Sequence, residues 1–184
     1  MYQMAKEFAR FVVTMRIAPY DGTPIASDSM MRGEPLAHRE MKTREPILAL
    51  SDQINVAVAV TAWACALAAP PWLDSPRWLH GDLLPGNLLA RNGRLCAIID
   101  FGGARVGVPA VDAMPAWTNF TRETRATFRH AIDVDDETWN RACGRALSWA
   151  VIALAYYRRS NSSLSGIARH AIREVLSEHG AQST

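Results

Sequence analysis

The sequence predicts an α+β protein that is mostly α-helical and carries one small antiparallel β-hairpin. Apolar residues recur at helical spacing before about residue 70 and after residue 109. Between these parts, two short apolar runs are joined by Asn92-Gly93, a pair that tolerates the positive φ values of a tight hairpin turn. We therefore divide the chain, as a single domain, into a helical segment at 1–77, a hairpin segment at 78–108 and a second helical segment at 109–184.

Prolines and capping residues set the element boundaries in the first segment. The expected elements are a helix over 2–18 stopped by Pro19, a loop over 19–35, a helix from 36 to about 44 that Pro46 ends or restarts, and a helix to 67 capped by Ser51 or Asp52 and closed by Pro70-Pro71.

The second helical segment begins after the hairpin. The expected elements are a helix over 109–120, a helix to about 132 capped by Thr121, a helix from Asp135 or Asp136 to about 159, a turn over 160–163, and a last helix to about 178. Trp117, Trp139 and Trp149 sit among Leu and Ala at helical spacing, which predicts core positions.

Composition narrows the class of protein. With 49% apolar and 21% charged residues, the chain has the profile of a soluble globular protein. Its net charge of +2 is spread out, so we expect no nucleic-acid partner. Its longest apolar runs are too short for a membrane span, so we expect no membrane association and a cytoplasmic location. Cys65, Cys96 and Cys143 are far apart and predict reduced core residues rather than disulfides or zinc ligands.

Three oxygen-bearing side chains flank the predicted hairpin. Folding the hairpin brings its two ends together, so Asn87 and Asp100 become neighbours although thirteen positions separate them. Asp82 enters from the loop just ahead. A hard divalent cation and a phosphoryl group both require converging oxygen ligands and charges of this kind.

Two motifs in this stretch resemble a known fold. His80-Gly81-Asp82 with Asn87 five residues on, followed by Asp100-Phe101-Gly102, resembles the catalytic loop and metal loop of the protein-kinase-like fold. The flanking residues WLHGDLLPGNLL and IIDFGG resemble the aminoglycoside phosphotransferase family more closely than the protein kinases. The resemblance covers essentially the whole chain and is strongest over 78–118.

The resemblance implies a kinase-like C-terminal lobe in which the hairpin carries the catalytic and metal loops. We expect the N-terminal β-lobe to be absent, because no β-rich segment precedes the first helix and Lys6 and Lys42 both fall on predicted helices. The chain would then begin near the hinge, as a fragment or as a protein that lost the lobe. An apolar face where that lobe would dock favours a homodimer.

The resemblance also implies site roles and an activity. The activity would be ATP- and Mg²⁺-dependent transfer of a phosphoryl group to a hydroxyl of a small molecule, such as an aminoglycoside, another antibiotic or a metabolic alcohol. The implied roles are a catalytic Asp82, an Asn87 and an Asp100 that bind the metal and the nucleotide phosphates, and a supporting His80, Gly102 and Asp112.

One departure from the family pattern leaves an alternative open. Val108 stands where the family's Gly-Asp-Pro-x-x-Asp segment has its first acid, while Asp112 is retained. The alternative is a non-catalytic, degenerate kinase-like lobe that acts as a binding or interaction module. Metal-dependent hydrolysis is a weaker third hypothesis, because no His or Glu cluster completes a two-metal site.

An acidic group lies between two of the late helices, at Asp133, Asp135, Asp136 and Glu137. It could hold the ammonium groups of a polycationic acceptor, as the resemblance implies, or it could cap the helix that follows and interact with its dipole. We favour the local interpretation.

Overall fold

The computed structural model describes residues 1–19 and 35–180. The part of the predicted loop that covers 20–34 lies outside the described residues. In chain order the elements are α1 (Tyr2–Arg16), a 3₁₀ turn (Leu36–Arg39), α2 (Glu40–Ala49), α3 (Val56–Ala68), β1 (Arg77–Leu79), a 3₁₀ turn (Pro85–Asn87), β2 (Leu88–Arg91), β3 (Arg94–Ile98), a 3₁₀ turn (Phe101–Gly103), β4 (Arg105–Gly107), α4 (Ala110–Ala113), α5 (Pro115–Thr118), α6 (Arg122–Ile132), α7 (Asp136–Tyr157) and α8 (Ser162–Gly180). The predicted α+β class, mostly helical with a small antiparallel hairpin, is confirmed.

The long helix α7 forms the centre of the hydrophobic core and packs against α2, α3, α4 and α8. Alanines at 142, 146 and 150 are fully buried along it, and their small side chains let neighbouring helices approach closely. Gly144 extends this close approach, because a Cβ there would lie 2.4 Å from Cβ of Ala66 on α3. The side chain of Asp135 caps the helix and accepts a hydrogen bond from the amide of Thr138.

The first helix, α1, closes the core on the side of the strands. Its buried residues Ala5, Phe8, Ala9 and Val12 follow the spacing of one helical face. The ring of Phe8 lies 5.9 Å from that of Phe120 and 5.5 Å from that of Phe128, which joins α1 to α6. The apolar face of α1 therefore packs as its periodicity predicts.

The predicted hairpin is confirmed as β2–β3. Asn92 and Gly93 form its turn with φ values of 51° and 73°. Leu88 pairs with Ile98, so the two ends of the hairpin meet, with one irregularity in register near the middle. A second antiparallel ladder joins β1 to β4, in which Leu79 pairs with Arg105. The sequence did not predict this ladder, because its strands of three residues are too short to show a period.

Two predicted boundaries in the first half are wrong. Pro46 neither ends nor restarts α2, which continues to Ala49 because its buried side chains Thr43 and Ile47 hold it against α7. The hydroxyls of Thr43 and Ser148 lie 2.7 Å apart across that contact. Neither Ser51 nor Asp52 caps α3, which Asn55 caps by accepting a hydrogen bond from the amide of Val58 at 3.2 Å.

Further differences lie after the hairpin and among the cysteines. The helix expected over 109–120 is split into α4 and α5, because Pro115 has no amide proton to continue the first of them. α7 ends at Tyr157, and α8 already begins inside the expected turn. The cap at Thr121 is confirmed.

All three cysteines are free, but Cys65 and Cys96 are exposed and only Cys143 lies in the core. Of the described helices, none is long and apolar enough to cross a membrane.

Replacing Gly144 by Ala should destabilise the fold. The added Cβ would meet Ala66 Cβ at 2.4 Å and Leu36 Cδ1 at 3.0 Å, so α3 and α7 would have to move apart. We expect Gly144→Ala to lower the free energy of unfolding by about 1–3 kcal/mol, the usual cost of overpacking, in urea denaturation. Gly166→Ala on α8 is the matched control. Nothing lies within 4 Å of its added Cβ, so it should stabilise slightly or have no effect. Equal effects would contradict the close approach.

Candidate functional site

The buried carboxylate of Asp112, in the short helix α4, holds the loop that contains Asp82. Its Oδ2 accepts a hydrogen bond from the amide of His80 at 2.7 Å, and its Oδ1 accepts one from the amide of Gly81 at 2.9 Å. Gly81 has a φ of 79°, and a Cβ at this position would lie 2.7 Å from the carbonyl oxygen of Gly103. Glycine is therefore required at the point where this loop turns.

The imidazole of His80 connects this loop to the strand that precedes Asp100. The side chain is completely buried. The amide of Asp82 donates to Nδ1 at 3.3 Å, so the ring proton lies on Nε2, which donates to the carbonyl of Ile99 at 3.0 Å. The ring of Phe101 packs on the imidazole with centroids 4.7 Å apart. His80 is thus fixed by hydrogen bonds on both nitrogens.

Ile99 is held from two sides. Its carbonyl accepts from His80, and its own amide donates to the carbonyl of Asn87 at 3.0 Å. The next residue, Asp100, has left-handed backbone angles of φ 62° and ψ 65°. Its Oδ1 accepts a 3.4 Å hydrogen bond from the amide of Gly102, and the residue is exposed to solvent. The carboxylate of Asp100 is therefore presented at the surface from a backbone that is held in place.

The amide side chain of Asn87 closes the arrangement. Its Nδ2 donates to the carbonyl of Asp82 at 2.7 Å, which leaves the amide oxygen as the group that can ligate a cation. The neighbouring carbonyl of Leu83 accepts from Nδ2 of Asn119 at 2.9 Å. Hydrogen bonds therefore link the loop of Asp82, the side chain of Asn87 and the strand end before Asp100.

Burial is the main cause of the shifted pKa of Asp112, which holds the loop of Asp82. Burial raises the pKa of Asp112 to about 6, although the hydrogen bonds from the amides of Gly81 and His80 oppose the rise. Above that pH the carboxyl group is ionised and accepts both amide hydrogen bonds. An ionised acceptor makes these bonds stronger than neutral ones.

The available donors fit a hard cation. Asn87 offers an amide oxygen and Asp100 a carboxylate, and Mg²⁺ is commonly held by one or two such side chains together with phosphate oxygens and water. Across residues 1–19 and 35–180, no group of three or more His, Cys, Asp or Glu side chains forms a metal cluster. The acidic group between α6 and α7 has local partners: Asp135 caps α7 and Asp136 pairs with Arg129.

Two contributors were missed at the level of sequence. Ile99 acts through its backbone amide and carbonyl, and an apolar side chain in an apolar run carries no sign of that function. Asn119 lies at the end of α5, and its contact with Leu83 spans 36 positions. Only the distance in the fold, not a local pattern, identifies either residue.

Comparisons with known proteins identify a family and a fold. The model of the phosphotransferase enzyme family matches residues 2–147. No curated protein sequence matches the chain significantly.

Solved structures with the same fold include a macrolide 2'-phosphotransferase type I, with a TM-score of 0.56 and 22% identity over 92% of this chain and 58% of that one. The GDP and kanamycin complex of APH(2")-IIIa has a TM-score of 0.61 and 19% identity over 100% of this chain and 63% of that one. A macrolide 2'-phosphotransferase from Brachybacterium faecium has a TM-score of 0.53 and 18% identity, with coverages of 94% and 61%. The chain thus spans about six-tenths of the length of these structures.

The carboxyl group of Asp112 should titrate near pH 6. We expect its ¹³C resonance, and the amide ¹⁵N resonances of His80 and Gly81, to shift together with an apparent pKa of about 6. An unfolded Asp titrates near 4, so between about pH 4 and pH 6 the folded chain binds more protons than the unfolded chain. This contribution to stability is fully present below about pH 4 and is lost as the pH rises through 6.

The pH dependence can be isolated with Asp112→Asn. Subtracting the unfolding free energy of this variant from that of the natural protein should leave a difference that falls from pH 4 to pH 6. A titration near 4, or a difference that rises over this range, would show that the carboxyl group is not buried as described.

Proposed function

The chain belongs to the phosphotransferase enzyme family, and from this membership we propose that it carries the acceptor and metal part of a phosphotransfer site. The reaction would move a phosphoryl group from ATP, with Mg²⁺, to a hydroxyl of a small molecule. The observation that carries the proposal is the hydrogen-bonded linkage of Asp82, Asn87 and Asp100 through His80 and Ile99.

In this proposal Asp82 is the catalytic residue. Its backbone is held on both sides, since its amide donates to His80 and its carbonyl accepts from Asn87. A carboxylate fixed in this way can orient the acceptor hydroxyl and receive its proton. A strong base is unnecessary, because the transition state of phosphoryl transfer is loose in most analyses and positioning contributes much of the rate enhancement.

Asn87 and Asp100 would hold the metal ion and, through it, the nucleotide phosphates. The bound Mg²⁺ would neutralise charge on the phosphate oxygens. Asn87 would contribute its amide oxygen, because the amide nitrogen is already engaged with Asp82. The left-handed backbone of Asp100 and the hydrogen bond from Gly102 would keep the carboxylate at the surface.

The bound molecules named for the solved structures support a nucleotide donor and a hydroxyl-rich acceptor. Among these structures are complexes with ADP, with ATP and streptomycin, with GDP and kanamycin, and with gentamicin. For this chain we propose ATP as the donor, a cytoplasmic location where ATP is available, and a polyhydroxylated small molecule as the acceptor. The homodimer stays a prediction. We place its interface at the exposed apolar side chains beside the site, which belong to Leu89, Ile99 and Phe101.

A second candidate function is binding without catalysis. Val108 favours it, since a neutral side chain occupies a position where the family pattern has an acid. Calorimetry with Mg²⁺-ATP and an acceptor separates the two functions. Binding without turnover would favour the module, and turnover that depends on Asp82 would favour the enzyme.

Asp82→Asn should abolish transfer while leaving the fold intact. We expect a loss on the order of 10²–10⁴-fold in turnover, the usual contribution of a positioned acid or base. The protein expressed from its whole reading frame is incubated with Mg²⁺-ATP and kanamycin or a macrolide, and the phosphorylated product is followed by ³¹P NMR. Asp74→Asn, which changes an exposed carboxylate outside the site, is the matched control and should retain full activity. Retained turnover in Asp82→Asn would remove Asp82 from the mechanism.

A further inference from the structure

A pocket of about 260 Å³ lies between the 3₁₀ turn before α2, the end of α3 and the middle of α7. Its walls include the apolar side chains of Leu36, Leu67 and Val108 and the polar side chains of Trp72, Arg141 and Arg145. None of Asp82, Asn87 and Asp100 lines it. The pocket is therefore distinct from the candidate phosphotransfer site.

Arg141 brings a buried positive charge to this pocket. Its side chain donates to the carbonyl of Pro70 and, at 2.7 Å, to the hydroxyl of Thr138. Among the described residues, Asp135 pairs with Arg141 over 3.8 Å, and the Asp135 side chain is half exposed. Burial lowers the pKa of Arg141, and the carboxylates of Asp135 and Glu137 oppose that shift. Arg145 lies one turn further along α7, and both arginines are 8% exposed.

Two buried N–H groups at the pocket wall lack acceptors within the described part of the chain. These are Nε of Arg141 and Nε1 of Trp72. The guanidinium of Arg141 lies over the Trp72 ring, 5.9 Å from its centroid, so the two groups belong to one wall. Buried polar groups in native proteins are nearly always satisfied by protein, water or ligand. An acceptor that enters the pocket would satisfy groups that the described chain leaves without partners.

The described side chains that line the pocket include two arginines and no Asp or Glu. Val108, which replaces an acid of the family pattern, also lines the pocket and contributes an apolar surface. A ligand that complements this lining would combine a negative charge with an apolar body.

We propose that this pocket binds a small organic carboxylate, with its anionic group toward Arg141, Arg145 and the Trp72 indole N–H and its apolar body against Leu36, Leu67 and Val108. The volume limits the ligand to a molecule smaller than most drug-sized compounds. Binding does not depend on phosphotransfer, and the pocket would bind such an anion even in a chain with no catalytic activity.

Benzoate is the probe, and the indole Nε1–H resonance of Trp72 is the reporter. We expect a saturable shift of this resonance in the whole chain, with a Kd on the order of 1 mM. Benzamide, which has a similar shape and no charge, should bind at least tenfold more weakly. No saturable shift with benzoate, or equal binding of benzamide, would overturn the proposal.

Substitution at Val108 tests the charge complementarity. Val108→Asp places a carboxylate on the wall and should weaken benzoate binding at least tenfold, because like charges would then share the pocket. Val108→Thr is the matched control, because threonine is β-branched like valine and uncharged, and it should bind benzoate within about twofold of the natural chain. Unchanged benzoate affinity in Val108→Asp would overturn the proposal. If Val108→Asp does not fold, the comparison of benzoate with benzamide on the natural chain decides alone.

Discussion

Two hydrogen bonds to the buried carboxylate of Asp112 hold the candidate site in place. The carboxylate accepts hydrogen bonds from the amides of His80 and Gly81. Because the site is buried, desolvation disfavours the ionised form of Asp112. These two hydrogen bonds fix the turn ahead of Asp82. From there the imidazole of His80 reaches the carbonyl of Ile99, whose amide binds Asn87. Through these hydrogen bonds, one buried carboxylate helps to position three candidate site residues, Asp82, Asn87 and Asp100.

The strand pair β1–β4 and the packing of α4 against α7 determine where Asp112 lies. Pairing of β1 with β4 brings the chain on either side of the site together, so that His80 follows one strand and Val108 the other. Helix α4 starts directly after Pro109 and presents Asp112 in its first turn. The helix packs against α7, which fills the core between the two helical segments. The close approach at Gly144 extends this packing to α3.

Local sequence signals predicted the parts of the fold that local forces determine. Asn92-Gly93 identified the hairpin, the apolar spacing of α1 identified its buried face, and Thr121 identified the cap of α6, because each depends on a few adjacent residues. Tertiary packing overrode local preference at Pro46, which lies within α2 rather than ending it. The exposure of Cys65 and Cys96 likewise depends on which face each element turns to the core, and their apolar neighbours alone do not show it.

For the candidate site too, some features could be predicted from local sequence and others could not. The spacing of Asp82, Asn87 and Asp100 around the hairpin predicted their proximity, and the structure links them by hydrogen bonds. The role of Ile99 could not be predicted, since it uses only backbone atoms. The arginine-lined pocket could not be predicted either, because Trp72, Val108 and Arg141 are far apart in sequence and meet only in the fold.

Paramagnetic broadening by Mn²⁺ tests whether Asn87 and Asp100 bind one metal ion. Mn²⁺ replaces Mg²⁺ at oxygen sites and broadens the NMR signals of nearby nuclei. With ADP present, we expect the side-chain amide of Asn87 and the backbone amides of Asp100 and Gly102 to broaden together at the lowest Mn²⁺ concentration. Broadening that begins instead at the acidic residues around Asp135, with Asn87 and Asp100 unaffected, would contradict this expectation.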